Sequence, residues 1–213
     1  MIADGDVDNS KAPSRMKIDP EFEKDILYLD LTTIEESEDV IYIVDSAFTL
    51  KAYNNMWENF ALDNNGEEIL RRYPLGSNIQ DAFREPIKSY LIQAYTAALQ
   101  DNTPFEQTYE CSSPLEYRLY RQTAYPLVRS RGLVISNHLV RKSQLREEIV
   151  AFSKQFIDNR GIITQCQNCR KIRDPQNEQR WLWVPSLVKN TLANTSHGIC
   201  PQCLDHYFPD IDD

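Results

Sequence analysis

Four of the five cysteines in this 213-residue chain stand in two matched pairs, Cys166-Gln167-Asn168-Cys169 and Cys200-Pro201-Gln202-Cys203, with 30 residues between them. A C-x-x-C step lets one tight turn aim two sulfurs at a single point. Two such turns supply the four thiolates that a tetrahedral zinc ion prefers. Iron also suits thiolates, and redox-active or unliganded thiols are the other alternative, although a thioredoxin-like site needs one such pair rather than two. Four sulfur ligands leave no open coordination position, so the spacing predicts a structural zinc site at Cys166, Cys169, Cys200 and Cys203, not a catalytic one. Arg170, Lys171 and Arg173 follow the first pair and supply positive charge against the net negative charge of a zinc tetrathiolate. His197 and His206 flank the second pair and could replace a cysteine. With four cysteines in hand, they are expected in packing and hydrogen bonding around the site.

Little else in the chain has the types and spacing of catalytic groups. There is no glycine-rich phosphate loop, no H-E-x-x-H and no G-x-S-x-G. The three histidines, His138, His197 and His206, offer few general bases. His138 is a formal candidate for haem ligation, and Cys111, on an expected strand, reads as a small core residue. The acidic pairs Glu35-Glu36 and Glu147-Glu148 are adjacent on expected helices, so their carboxylates do not converge. The expectation is a protein without enzymatic activity, with an enzyme of unrecognised site as the alternative.

The elements that must position the cysteines belong to a chain of ordinary globular composition, 41% hydrophobic and 26% charged. No run approaches the roughly 18 apolar residues of a membrane-spanning helix. The acidic first residues lack the basic and apolar regions of a secretory signal, so a cytoplasmic location and reduced thiols are expected. The net charge of -9 is concentrated at the head, where residues 1–38 hold 11 acids and 4 bases. The remainder is close to neutral and lacks the basic excess that phosphate backbones attract, which disfavours nucleic acid as a partner.

Residues 1–18 read as a disordered acidic leader. Asp19-Pro20 then resembles a helix start, and Phe22, Ile26, Leu27 and Leu29 suit one face of a helix over about 20–36. Val40–Val44 and Phe48–Tyr53 predict two strands. Asn54-Asn55 opens a helix with Trp57, Phe60 and Ala61, and Pro86 opens a longer one with Ile87, Tyr90, Leu91, Ala94, Ala98 and Leu99 at helical spacing. Three strand-like stretches follow, at 105–111, 117–128 and 133–136. Two strands, several helices and three strands fit an α+β fold, with a five-stranded antiparallel sheet carrying helices on one face.

That succession, with Asp39-Val40-Ile41-Tyr42-Ile43-Val44-Asp45, Asn54-Asn55-Met56-Trp57, Leu75-Gly76-Ser77-Asn78-Ile79, Tyr109–Pro114 and Val134–His138, resembles the PAS sensor family over roughly residues 28–140. The resemblance implies a sensor domain, here 19–140 with its N-terminal helix, that responds to a small ligand, cofactor or partner and passes a shape change to a flanking helix. Residues 141–160 fit such a connector. They contain no proline and, up to Arg160, no glycine, and Leu145, Ile149, Phe152 and Phe156 trace an apolar stripe that could pack on its neighbours or pair with a second copy. The tail, 161–213, is expected to be a four-cysteine zinc-binding module. Its segments Cys166–Asp174, Trp181–Val184 and Ser196–Cys203 resemble a small module that follows sensory or receiver domains in bacterial signalling proteins. About 50 residues bury little core, and a metal offsets that shortage. Trp181 and Trp183 should share one side of a strand and Leu182 and Val184 the other, with one pair over the cysteine turns. The kinase and cyclase signatures that often follow PAS domains are absent.

The reading that follows is a signalling protein that docks a protein partner or itself through the connecting helix. A transcriptional or translational regulator is the rival, using Arg170, Lys171, Arg173 and Arg180 with the two tryptophans as stacking surfaces.

Overall fold

The stretches read as strands over 40–53 and 105–136 form strands, with helices between them. The structure, a computed structural model, describes residues 16–64, 66–144 and 148–209. The elements of the first part are β1 (Lys17–Ile18), α1 (Glu23–Ile26), α2 (Leu31–Glu36), β2 (Val40–Asp45), β3 (Leu50–Tyr53), α3 (Asn55–Asp63), α4 (Glu67–Arg72), α5 (Ile87–Asp101), β4 (Phe105–Glu110), β5 (Glu116–Pro126) and β6 (Gly132–Gln144). They build one antiparallel sheet in the order β1-β3-β2-β6-β5-β4. The sheet has six strands and not five. The extra one, β1, adds two residues to the edge of β3, inside the stretch expected to be a leader. The rest of that leader, 1–15, lies outside the described residues.

Each face of the sheet has its own core. On one, α3 and α5 cover Tyr42, Val44, Leu50, Leu133 and Ile135, with Leu91, Tyr95, Ala98 and Leu99 of α5 buried against them. On the other, Met16, Phe22 and Ile26 pack on Ile43, Ala52 and Leu127. Helices therefore lie on both faces. The helix expected over 20–36 is two short ones, because Asp30 accepts a hydrogen bond from the Thr33 backbone and restarts the chain as α2. Asn54, fully buried, ties these layers together: its Oδ1 accepts from the Ile41 amide, and its Nδ2 donates to the carbonyls of Ile34 and Asp39.

The second part comprises β7 (Ile163–Cys166), β8 (Ile172–Asp174), β9 (Asn177–Leu182), α6 (Pro185–Lys189), β10 (Thr195–Gly198) and α7 (Pro201–Tyr207). Its sheet runs β10-β7-β8-β9, with β10 parallel to β7. Phe156, Ile163, Ile172, Leu182, Val184 and Leu187 form its small apolar core.

Between the two parts the expected connecting helix is absent from the described residues. Residues 141–144 extend β6, and 154–156 make a single 3-10 turn. Ile149 forms an isolated parallel bridge with Trp183, the Val150 amide donates to the Trp183 carbonyl, and Phe156 is fully buried in the small core, with Phe152 stacked on it. A module this small draws the stripe into its own core, and tertiary burial prevails over helical spacing. Leu145 and Glu147 lie outside the described residues.

Candidate metal centre

The parallel pairing of β7 with β10 brings the two cysteine pairs together. Its register sets Gly198 opposite Cys166, so the turn after β7 and the start of α7 emerge side by side at the same end of the sheet. Cys166 ends β7. The chain then turns through Gln167–Cys169, with the Arg170 amide donating to the Cys166 carbonyl and the Cys166 amide to the Lys171 carbonyl. Arg170 takes the left-handed backbone conformation that closes this turn (φ 66°), at a cost of about 1 kcal/mol for a side-chain-bearing residue. Its guanidinium donates to the Val188 carbonyl and holds it there. Cys200 caps α7, Pro201 fills the first helical position, and Cys203 lies in the first turn.

The result is that Cys166, Cys169, Cys200 and Cys203 are all buried, with their sulfurs within 4.8 Å of one another. The Cys169 and Cys200 sulfurs are 3.6 Å apart. A tetrahedron with metal–sulfur bonds of about 2.3 Å has edges of about 3.8 Å, so the donor set fits a tetrahedral thiophilic ion. The Cys200 amide points at the Cys166 sulfur (3.5 Å) and Asn168 Nδ2 at the Cys203 sulfur (3.2 Å). Such donors favour the thiolate. Hydrogen bonds from the other three thiols favour the Cys166 thiolate, whereas thiol contacts, from Cys166 first, together with burial push Cys169 and Cys200 above the usual thiol range. Crowded thiols of this kind are stable as an all-thiolate set only with a cation among them. Cys111 stands apart from the cluster, its thiol pushed up by burial.

Neither His197 nor His206, which could have replaced a cysteine, belongs to the cluster. His206 donates from Nε2 to the Thr108 carbonyl of β4 (2.9 Å). His197 lies on β10, where desolvation of its ring, with the Arg84 and Arg170 charges adding to the effect, holds its pKa below the usual imidazole value. His138 lies on the sheet face opposite the α5 core, with Nδ1 2.8 Å from Asp39 Oδ1, and does not approach the interior. The four basic residues named for nucleic acid are all engaged. Arg170 is bonded as above, buried Lys171 reaches Gln202 Oε1, Arg173 pairs with Glu178, and Arg180 pairs with Glu148 and Asp174. Of the tryptophans, Trp181 packs against the cysteine cluster, whereas Trp183 is 1% exposed and donates from Nε1 to the Pro114 carbonyl of the first part.

Sequence reasoning missed the residues around the sulfurs. Asn168 donates to Cys203 and accepts from the Tyr207 hydroxyl (2.9 Å). The Tyr207 ring meets Tyr90 of α5 edge-on with centroids 5.1 Å apart, and Phe208 meets the same ring at 5.9 Å. Ile87 and Tyr90 thus complete the apolar shell of the cysteines from the other part of the chain. The signal available was Asn168 inside the first C-x-x-C and an aromatic pair just beyond the second.

Between the first sheet and α5 lies a buried polar network. Gln122 Oε1 accepts from the Tyr95 hydroxyl (2.7 Å) and Gln107 Nε2 (2.9 Å), and Asn137 Oδ1 accepts from Gln122 Nε2 and the Tyr109 hydroxyl (both 3.0 Å). Burial pushes Tyr42 up to about 12 and Tyr95 and Tyr109 well above the usual phenol value, so all three remain neutral and the Tyr95 and Tyr109 hydroxyls can donate. Gln107 Oε1 and Trp57 Nε1 are buried without a hydrogen-bond partner among the described residues.

Among the described residues no helix is long and apolar enough to cross a membrane. No protein-family model matches the chain, and no curated protein matches it. Among solved structures it is similar to phage VqmA in its complex with DPO, at 14% identity and a TM-score of 0.41, over 56% of this chain and 55% of that one. The match thus spans little more than half of the VqmA chain. A domain of an HTR-like protein from Haloarcula marismortui is similar at 14% identity and a TM-score of 0.35, over 49% of this chain and 100% of that one. The PAS domain of an HTR-like protein from Haloarcula marismortui is similar at 12% identity and a TM-score of 0.31, over 54% of this chain and 92% of that one.

Proposed function

We propose that this chain is a non-enzymatic regulatory protein in which a PAS-like sensor, 19–140, is joined to a structural-zinc module, 161–213, that docks a protein partner. The observation that carries this reading is the convergence of four buried sulfurs at a seam shared by both parts. When bound, zinc would fix the two C-x-x-C turns in one arrangement; Cys166, Cys169, Cys200 and Cys203 would hold it. The remaining work falls to the chain itself. Asn168 and the Cys200 amide support the sulfurs, Tyr207 and Phe208 carry the position of α7 to Tyr90, and His206 pins α7 to β4. A change in the sensor that moves α5 or β4 is then felt by the module through direct packing rather than through a connecting helix. Gln107 Oε1 and Trp57 Nε1, the two orphaned polar atoms of the sensor interior, are where a small polar ligand would gain hydrogen bonds.

Native mass spectrometry combined with hydrogen exchange tests the proposal. The full chain should carry one zinc, and removing it with a chelator should speed amide exchange in α7 and in 87–101 of α5. Absence of stoichiometric zinc, or unchanged exchange in α5 after its removal, overturns the reading.

A further inference from the structure

Beside the start of α5 an open cleft of about 400 Å3 is lined by Arg72, Tyr73, Ser77, Asn78, Asp81, Phe83, Arg84 and Lys88. Three of the eight are cations. No ion pair joins Arg72, Arg84 or Lys88 to any acid among the described residues, and the Arg72 guanidinium instead lies over the Tyr73 ring, 5.7 Å from its centroid. Arg71, next to Arg72, shows the alternative: it pairs with Glu68 at 2.6 Å. Asp81 shares the cleft but makes no ion pair with the three cations, and the Tyr73 hydroxyl is spent on the Asp81 carbonyl (2.7 Å). Asn78 is fixed as the cap of the following 3-10 turn and by its bond to the Ala47 carbonyl, which makes the cleft wall rigid. Ser77 adds a hydroxyl without a hydrogen bond of its own among the described residues.

Gathering like charges on one concave surface is unfavourable unless a counter-charge enters. The size lies within the range of small-molecule sites, and the lining is polar, so the occupant is an anion rather than an apolar molecule. Two guanidiniums and an ammonium on one cleft suit a tetrahedral, multiply charged oxyanion, which accepts several charge-assisted hydrogen bonds at once. The geometry points to a binding site for a phosphate group, free or carried by a small molecule, between the end of α4 and the first turn of α5. Because Lys88 is one residue from Ile87 and two from Tyr90, an anion held there sits on the same helical turn that packs against the cysteine cluster.

The test is isothermal titration of the full chain with inorganic phosphate and with phenyl phosphate, at low and at 0.5 M salt (about 4 Å screening length). The wild-type protein should bind saturably at one site. Arg84→Gln and Lys88→Gln should each weaken binding about tenfold or more, Arg71→Gln should leave it unchanged, and circular dichroism should show every variant folded. Tighter binding of phenyl phosphate marks an organic phosphate as the ligand, and equal binding marks free phosphate. Non-saturable binding, or affinity indifferent to both Arg84→Gln and Lys88→Gln, overturns the assignment.

Discussion

Replacing Tyr90 by alanine separates a protein whose two parts are energetically coupled from one whose parts merely touch. The Tyr90 ring makes edge-on contacts with Tyr207 (5.1 Å), Phe208 (5.9 Å) and Phe105 (6.1 Å), and the first two cross the seam. An aromatic pair of this kind contributes about 0.5–1.5 kcal/mol beyond area burial. Tyr90 is only half-buried, so its truncation should cost about 2–3 kcal/mol, below the 3–5 of a fully buried aromatic. The informative quantity is the coupling in a Tyr90→Ala, Tyr207→Ala double-mutant cycle, measured by urea unfolding of the zinc-loaded chain. It should be about 1 kcal/mol, and Tyr207→Phe, which keeps the ring and loses the bond to Asn168, should keep most of it. Additivity within about 0.3 kcal/mol would refute the argument. So would two separate unfolding transitions of which Tyr90→Ala moves only one.

Three further outcomes follow from particular residues. Asn137→Ala removes the acceptor of Tyr109 and Gln122 and the donor to the Val40 carbonyl in a buried setting, and should cost about 2–3 kcal/mol in chemical denaturation. Gly132→Ala would place a Cβ 1.9 Å from the Val44 carbonyl oxygen, where β6 meets β2, so the variant should lose about 3 kcal/mol or more and express poorly in soluble form. Asp158 is held below its ordinary value by the Ile162 amide first, with Arg160 assisting, so its contribution is complete above the usual carboxylate value and is lost as pH falls through the lowered one. The stability gap between wild type and Asp158→Asn should accordingly be constant near neutrality and close below about pH 4; a gap that widens on acidification would contradict the assignment.

Much of the first sheet was legible because its strands alternate and its long helix, α5, starts at Pro86 with an apolar face. The cysteine cluster was legible because C-x-x-C spacing constrains geometry more tightly than any apolar pattern. Where the reading failed, tertiary contacts decided. Ile149, Phe152 and Phe156 repeat at helical spacing, yet Phe156 lies in the core of the small module and Ile149 is bridged to Trp183. Strand β1 is two residues long and has no periodicity to find; Met16 and Ile18 were its only apolar marks. The split between α1 and α2 was written in Asp30 with Thr33 three residues on, a capping pattern masked by the apolar run around it. Strand β6 extends to Gln144 because its far half pairs with β5 while facing solvent, so its polar residues gave no burial signal. The partners of the cysteine cluster, Asn168 and Tyr207, depend on side-chain directions that only the packed α7 defines.

The central claim is that one metal ion gathers both cysteine pairs. X-ray absorption at the zinc edge of the full chain as purified tests it most directly. The account predicts a single shell of four sulfurs at about 2.3 Å. A shell containing nitrogen or fewer than four sulfurs, or protein without zinc, would contradict it.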